Sequence, residues 1–594
     1  MLDVRGGGSL TAPRPTSWGT IVRTDATDAA AAAVPNLLDE LDRALARAVG
    51  NTTPPTPLAS LVVPHNVPGC DVFLAGRRSG WVAEAGDAVG GALTAHPIVR
   101  EAQLDPASNR VLVRLADERV AALGAALEAV QVDPFLGRDV ATDERFVIDY
   151  CDPNATKALH VGHLRTVALG HALGCLAASC GADVVHQTQI GDVGRQMGEA
   201  MAGYLEHFAP QTPESAGVKS DHFVGRCYSR YVADLAPPEV GGGGERDPAL
   251  SREDGSYDDL AERLLERLGT EDPETVELWE RMRGWALAGH DQTLARLGVR
   301  FDRVIYEVDF LADTHALTAR ALADGIVERS DDGAVISPER EDGHLLLHRP
   351  DGFPTTHMRC MGMWHLTGRE LLAGATSLAL VGDEWEPLVQ QGPAILDALA
   401  AGGEVHPTHW VVHGMVTSGR GAAMKSSGGA PWLVDELLDE LVADPRLQAW
   451  AHARADAGRL AAIAALGICL DCHPRKALPL EREMLLDERA NAGWTLARAW
   501  ARAWEERFDG DPAPAPDDPD YRSLVLRSQL HRRLAERSLR ALDVRALVGM
   551  HVHAAEWFLA QNDPSASVAR AMRGLLACGM RAVGLDADPL RSDG

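Results

Sequence analysis

Residues 146–198 constrain this chain more than any other stretch. The apolar run 146–150 reads as a strand that breaks at Asp152-Pro153-Asn154. A helix opens at His160-Val161-Gly162-His163, and Leu164, Val167, Ala168 and Leu173 follow at helical spacing. Gly181 stops that helix, and residues 184–190 return as a second strand. Strand, loop, helix, strand is a βαβ unit, whose ligand-facing loop lies at the carboxyl end of its first strand.

The start of the helix sets the chemistry. Its first turn has unpaired N–H groups and a partial positive charge, which suit a phosphate. His160 and His163 lie three residues apart, so both imidazoles fall on one side of the turn. Gly162 between them leaves room for a flat group near the backbone, and Lys157 adds a fixed positive charge upstream. Alone, two histidines at this spacing also fit ordinary caps or half of a metal site. The Pro153-Asn154 turn, Lys157 and the preceding strand favour the phosphate reading.

A chain of 594 residues exceeds one core, and three or four domains are expected. Residues 1–19 lack the apolar segment of a signal peptide and read as a disordered leader. Residues 20–140 read as an α+β unit: helices at 35–50 and 118–130, a strand at 110–115, and loops at 54–57 and 76–91. Residues 237–259 read as a linker between helical segments, 260–268 and 276–297 as amphipathic helices. An apolar strand at 378–381 ends at Gly382, and a final strand at 413–416 leads into the glycine- and serine-rich run 419–429. From 441 onward helix dominates.

No apolar run is long enough to span a membrane. Nine scattered cysteines suit a reduced, cytoplasmic protein. Cys469, Cys472 and His473 match a haem-attachment pattern on paper, and one such cysteine pair alone is a poor zinc site, so no dedicated metal site is expected. The net charge of −28 argues against indiscriminate nucleic-acid binding. Residues 441–594 hold 21 Lys+Arg against 21 Asp+Glu, so this part could dock a phosphate backbone locally.

The run Asp152-Pro153-Asn154, Lys157, His160 to Arg165 and Ile190-Gly191-Asp192-Val193-Gly194-Arg195-Gln196 resembles the HIGH-motif region of the class I aminoacyl-tRNA synthetases, specifically the arginyl type. That family runs Ser-Pro-Asn, a lysine, His-(Val/Ala)-Gly-His-Leu-Arg and Ile-Gly-Asp-Trp-Gly-x-Gln. Residues 349–355 are similar to the family's Arg-Ser-Asp-Gly-Thr-Pro-Thr, and Met424-Lys425-Ser426-Ser427 stands where it has its KMSKS motif. The resemblance covers about 140–594, with gaps.

It implies a Rossmann-type parallel-sheet catalytic domain at 141–440 with a helical insertion at about 200–300, an N-terminal α+β appendage, and an all-α anticodon-binding-type bundle at 441–594. It implies ATP as substrate with Mg2+, an amino acid, tRNA and a cytoplasmic monomer. Lys157, His160, His163 and Lys425 take the catalytic positions, and Gly162, Met424, Ser426 and Ser427 join them around ATP. Asp149 and Asn154 match the positions that hold the amino and carboxylate ends of the amino acid.

The side-chain pocket departs from the pattern. The family's Tyr-x-x-x-Asp, which receives a guanidinium, is Thr356 and Cys360 here; a glutamine is Trp385, a tryptophan Val193 and a histidine Gln189. Asp383, Glu384 and Glu386 are candidates for the missing charge. Three readings follow: an arginine–tRNA ligase with a divergent pocket, a paralogue using another amino acid or a non-tRNA acceptor, and a non-catalytic tRNA-binding relative.

Overall fold

The computed structural model describes residues 36–48, 61–62, 70–75, 81–108, 110–130, 135–137, 139–235, 260–339, 343–350, 352–370, 375–399, 408–417, 432–510 and 514–585. The leader 1–19, the loop 54–57, the linker 237–259 and the positions Met424, Lys425, Ser426 and Ser427 lie outside the described residues.

Five parallel strands organise the middle of the chain: β1 (Arg145–Asp149), β2 (Asp183–Ile190), β3 (Arg303–Tyr306), β4 (Ala375–Gly382) and β5 (Thr408–His413), in the order β5-β4-β1-β2-β3. β1 is central, and its carboxyl end opens at the place where the chain order reverses, where open parallel sheets bind ligands. Helix α1 (Val161–Ser179) crosses from β1 to β2 and is apolar on nearly every side, because sheet and C-terminal helices cover it together. The segment between β2 and β3 holds α2 (Arg195–Gly203), α3 (Ser220–Leu235), α4 (Leu260–Gly269) and α5 (Pro273–Leu297), which share a separate core around Met201, Phe223, Leu264, Trp279 and Met282. After β3 come α6 (Glu307–Ala323) and, facing it, α7 (Thr356–Glu370).

The final strand differs from its sequence reading. β5 ends at His413, and Val416–Thr417 pairs instead with Leu478–Pro479 in a small parallel ladder. The cause is Gly414: a side chain there would lie 2.4 Å from the Lys476 carbonyl carbon, so the chain leaves the sheet against another backbone.

N-terminally, Leu61–Val62, Val72–Ala75, Val99–Asp105 and Arg110–Leu115 form an antiparallel sheet with helices Leu37–Ala48, Trp81–Thr94 and Asp117–Glu128. The expected loop at 76–91 is thus partly wrong, since Trp81–Thr94 is helical despite its glycines. Gly90 is there for packing: a Cβ would come within 3.2 Å of the Ala102 carbonyl oxygen on the neighbouring strand.

Beyond 441, helices Ala457–Asp471, Ala492–Ala503, Pro519–Ser528, His531–Ala541, Arg545–Ala560 and Ala566–Ala582 pack around Trp494, Trp500 and Phe558. Several of its arginines are committed inside the chain. Arg522, with its side chain 2% exposed, binds Asp71 and Asp117; Arg533 binds Asp39, and Arg570 binds Glu128. The cations that balance the C-terminal composition therefore partly serve to dock the N-terminal unit.

Candidate active site

The mouth of the sheet is built at the start of α1. His160 is its N-cap, and its Nδ1 accepts the Gly162 N–H at 3.1 Å. His163 answers by accepting the His160 N–H on its own Nδ1 at 3.2 Å, and the two rings lie 4.0 Å apart. This reciprocal cap fixes both tautomers. With Nδ1 used as an acceptor, Nε2 carries the proton on each ring, so each imidazole keeps one N–H to donate. Burial, with Lys157 adding to it, lowers the His160 pKa to about 4. Burial and the neighbouring His160 and His290 hold His163 well below its ordinary value. Both rings are neutral donors at pH 7, and the positive charge comes from Lys157. Its Nζ lies 4.7 Å from the Tyr228 ring centre, and buried His290 bonds the Lys157 carbonyl at 2.7 Å through Nε2.

The chain returns to this point after β5. The Val161 N–H donates to the Trp432 carbonyl and the Val434 N–H to the Leu159 carbonyl, both at 3.0 Å. Residues 432–434 are thereby pinned to the first motif. Arg165, fully buried, donates to the carbonyls of His473 (2.9 Å) and Pro474 (3.1 Å), and Pro474 also accepts the Gly414 N–H at 2.8 Å. The haem-like Cys472-His473 pair is thus a backbone anchor for α1, and all nine cysteines are free thiols.

The residues expected around an amino acid come from distant segments. Asp149 ends β1, 3% exposed, and accepts from Gln187 Nε2 at 3.0 Å. Burial and the neighbouring Asp152 raise its carboxyl well above the usual range. Cys151 and Asp152 then take positive φ values, 81° and 43°, which cost about 1–3 kcal/mol each in residues with a Cβ and commonly mark ligand sites. Asn154 sits on the same loop in a bridge with Gly191, where a Cβ would strike Asn154 Oδ1 at 2.2 Å. Thr356 starts α7, and Cys360 lies one turn on, half-buried. Trp385, just past β4, meets His357 edge-on with centres 5.4 Å apart.

Sequence reasoning missed Glu307. It opens α6 at the carboxyl end of β3, 2% exposed, with Arg359 Nε 2.9 Å from Oε1 and Gln189 Nε2 at 3.3 Å. Its place just beyond a parallel strand was the available signal. Of the expected charge donors, Asp383 and Glu384 are exposed, and Glu386 faces Arg475 at 3.4 Å. The motif residue Asp192 has a structural task, with Arg283 at 3.0 Å and the Val308 N–H at 3.1 Å, pinning α5 and α6 to the mouth.

Among the described residues one group of acids and histidine could reach a common ion, Asp221, His222 and Asp435. Its cation place is already taken: Asp435 receives Lys219 Nζ at 2.7 Å, Arg296 at 2.7 Å and the Thr293 hydroxyl at 2.8 Å.

Residues 128–339 match the family described as tRNA synthetases class I (R), catalytic domain. The chain is 28% identical over 402 residues to the arginine–tRNA ligase of Phocaeicola vulgatus, covering 63% of this chain and 65% of the relative. It is 29% identical over 398 residues to that of Bacteroides thetaiotaomicron, with the same coverage. These alignments span just under two thirds of the relatives' own length. Among solved structures, arginyl-tRNA synthetase of Thermus thermophilus superposes with a TM-score of 0.59 at 19% identity, covering 92% of this chain and 99% of the other. No helix among the described residues is long and apolar enough to cross a membrane. Residues 128–339 are thus a class I tRNA synthetase catalytic domain of the (R) type, set in a chain with the fold of the arginyl-tRNA synthetases.

Proposed function

We propose that the chain activates an amino acid with ATP to an aminoacyl adenylate and transfers the acyl group to tRNA, acting as a monomer in the cytoplasm. The amino-acid carboxylate attacks the α-phosphate in line, pyrophosphate leaves, and a ribose hydroxyl then takes the acyl group. Neither step needs a protein nucleophile, so catalysis is positioning and charge stabilisation. The Nε2–H groups of His160 and His163 donate to phosphate oxygens, Gly162 lets the nucleotide approach, and Lys157 and Lys425 offset the charge of the leaving pyrophosphate. Met424, Ser426 and Ser427 complete the ATP site, and magnesium arrives with the nucleotide. Asp149 and Asn154 hold the α-amino and α-carboxylate groups, while Thr356, Cys360 and Trp385 line the side-chain pocket.

The observation that carries this reading is the reciprocal His160–His163 cap at the mouth of a parallel sheet, with Trp432–Val434 stitched across it. A second reading, a paralogue for another amino acid or acceptor, is favoured by Thr356 and Cys360, which offer no carboxylate on α7. Pyrophosphate exchange with ATP, run over all proteinogenic amino acids with and without tRNA, tests both. Arginine-dependent exchange supports the ligase of that amino acid, and exchange with a different one supports the paralogue. Tight tRNA binding without any exchange leaves a non-catalytic relative.

A further inference from the structure

The far half of α1 helps enclose a cavity of about 270 Å³ that holds none of the residues placed around ATP or the amino acid. His171, on its wall, lies about 16 Å along the helix from His160 at ~1.5 Å per residue. The other walls are Leu297 at the end of α5, Ile463 and Leu466 on helix Ala457–Asp471, and the turn after helix Ala566–Ala582. The cavity therefore sits where the parallel-sheet part meets the C-terminal helices.

Its lining combines two kinds of surface. Two guanidinium side chains, Arg459 and Arg581, line it and no carboxylate does, in a chain of net charge −28. The Arg459 backbone N–H bonds the Asp456 cap at 3.0 Å, and among the described residues no acid or carbonyl holds its guanidinium. Opposite the cations the wall is aliphatic. His171 adds no charge: burial and the neighbouring His186 lower its pKa to about 4, and the ring bonds the Gly584 backbone with Cys175 Sγ 3.7 Å from Nε2. Two left-handed glycines shape the space. A Cβ at Gly298 would come within 3.3 Å of Arg459 Nη1, and one at Gly584 within 2.6 Å of His171 Nε2.

A purely apolar occupant would strip water from the guanidinium groups without replacing it, and a bare ion would leave the aliphatic wall wet. An acid group on an apolar body satisfies both surfaces, and guanidinium is suited to carboxylate and phosphate alike. Ligand pockets usually run from about 300 to 1,000 Å³, so this one is too small for a nucleotide and suits a single ring or a short chain. We propose that the cavity binds a small organic anion, with Arg459 and Arg581 holding its acid group while its apolar body lies on Leu297, Ile463 and Leu466.

The test is calorimetry on the full chain with benzoate, hexanoate and phenyl phosphate, each beside its neutral counterpart benzamide, hexanamide or phenol. At least one anion is expected to bind about 10–100-fold more tightly than its counterpart, the worth of hydrogen bonds to a charged group. The anion that leads tells carboxylate from phosphate and ring from chain. Arg459→Gln alters a half-exposed side chain and is expected to keep its melting temperature while losing about tenfold or more of that affinity. Arg581→Gln is the second variant, and a loss in either supports the site. Saturating Mg·ATP should leave the anion's affinity unchanged, because the mouth lies at the other end of α1. No binding by any of the three anions, equal binding of the neutral counterparts, affinity unchanged in both R459Q and R581Q, or displacement by Mg·ATP each overturns the proposal.

Discussion

The proposed nucleotide side and the proposed amino-acid side of this mouth are made in different ways. The first is local: residues 157–163, a helix start, and two imidazoles that fix each other through backbone N–H groups. The second draws Asp149, Asp152, Glu307, Arg359 and Cys360 from three segments of the chain. A site made of one turn is kept or lost as a unit, because its parts are each other's hydrogen-bond partners. A site made of scattered side chains can be rebuilt one position at a time while the scaffold stays.

The sharpest break of that comparison is His163→Ala. It removes an Nε2–H donor and also the acceptor of the His160 N–H, so both rings lose their orientation. Exchange should fall about 10²–10³-fold in kcat, the cost of a donor aimed at developing charge. Melting should shift by only the loss of one cap, about 1 kcal/mol. A rate that survives intact would remove the histidines from the chemistry and dissolve the contrast.

A smaller effect separates the two sides by pH. Burial, with Glu307 adding to it, raises the Asp152 carboxyl to about 7, whereas His160 titrates near 4. Below about pH 7 Asp152 gains a proton and loses its attraction for a cation. The amino acid's kcat/KM should therefore rise about tenfold per unit up to that point and then level. Affinity for ATP should stay flat from about pH 6 upward, because the rings are already neutral. Stability follows the histidines in the opposite sense from a raised acid. A His160 lowered from 6.5 to about 4 contributes stability fully present above 6.5 and lost as pH falls toward 4, so melting must be followed alongside.

What could be read from sequence divides along the same line. β1, α1 and β2 lie within a residue or so of the expected bounds, since alternation, helical spacing and Gly181 all act over a few residues. The turn that carries His160 and His163 was legible for that reason. Glu307 was not, because nothing near it in sequence tells that its carboxylate meets Arg359, more than fifty positions later. Gly414 and Gly90 failed for a related cause: each is set by a backbone approaching from elsewhere, at Lys476 and at Ala102. The tautomers of His160 and His163 also needed coordinates, although the three-residue spacing placed them on one side of the turn.

The gentlest test concerns Cys360, the thiol on α7. Burial pushes it well above its ordinary pKa, and Glu307, Asp152 and Asp149 push further in the same direction, against Arg359. It stays a thiol throughout the working range and is a poor nucleophile, since the thiolate is the reactive form. Its part is to fill space and to donate weakly beside three acids. Serine is close in size and a better donor, so Cys360→Ser should change kcat/KM by no more than about threefold, and iodoacetamide should leave the wild-type enzyme active at pH 8. A collapse of activity in the serine variant would mean that the sulfur itself forms a bond during turnover, and the amino-acid side would then hold chemistry of its own.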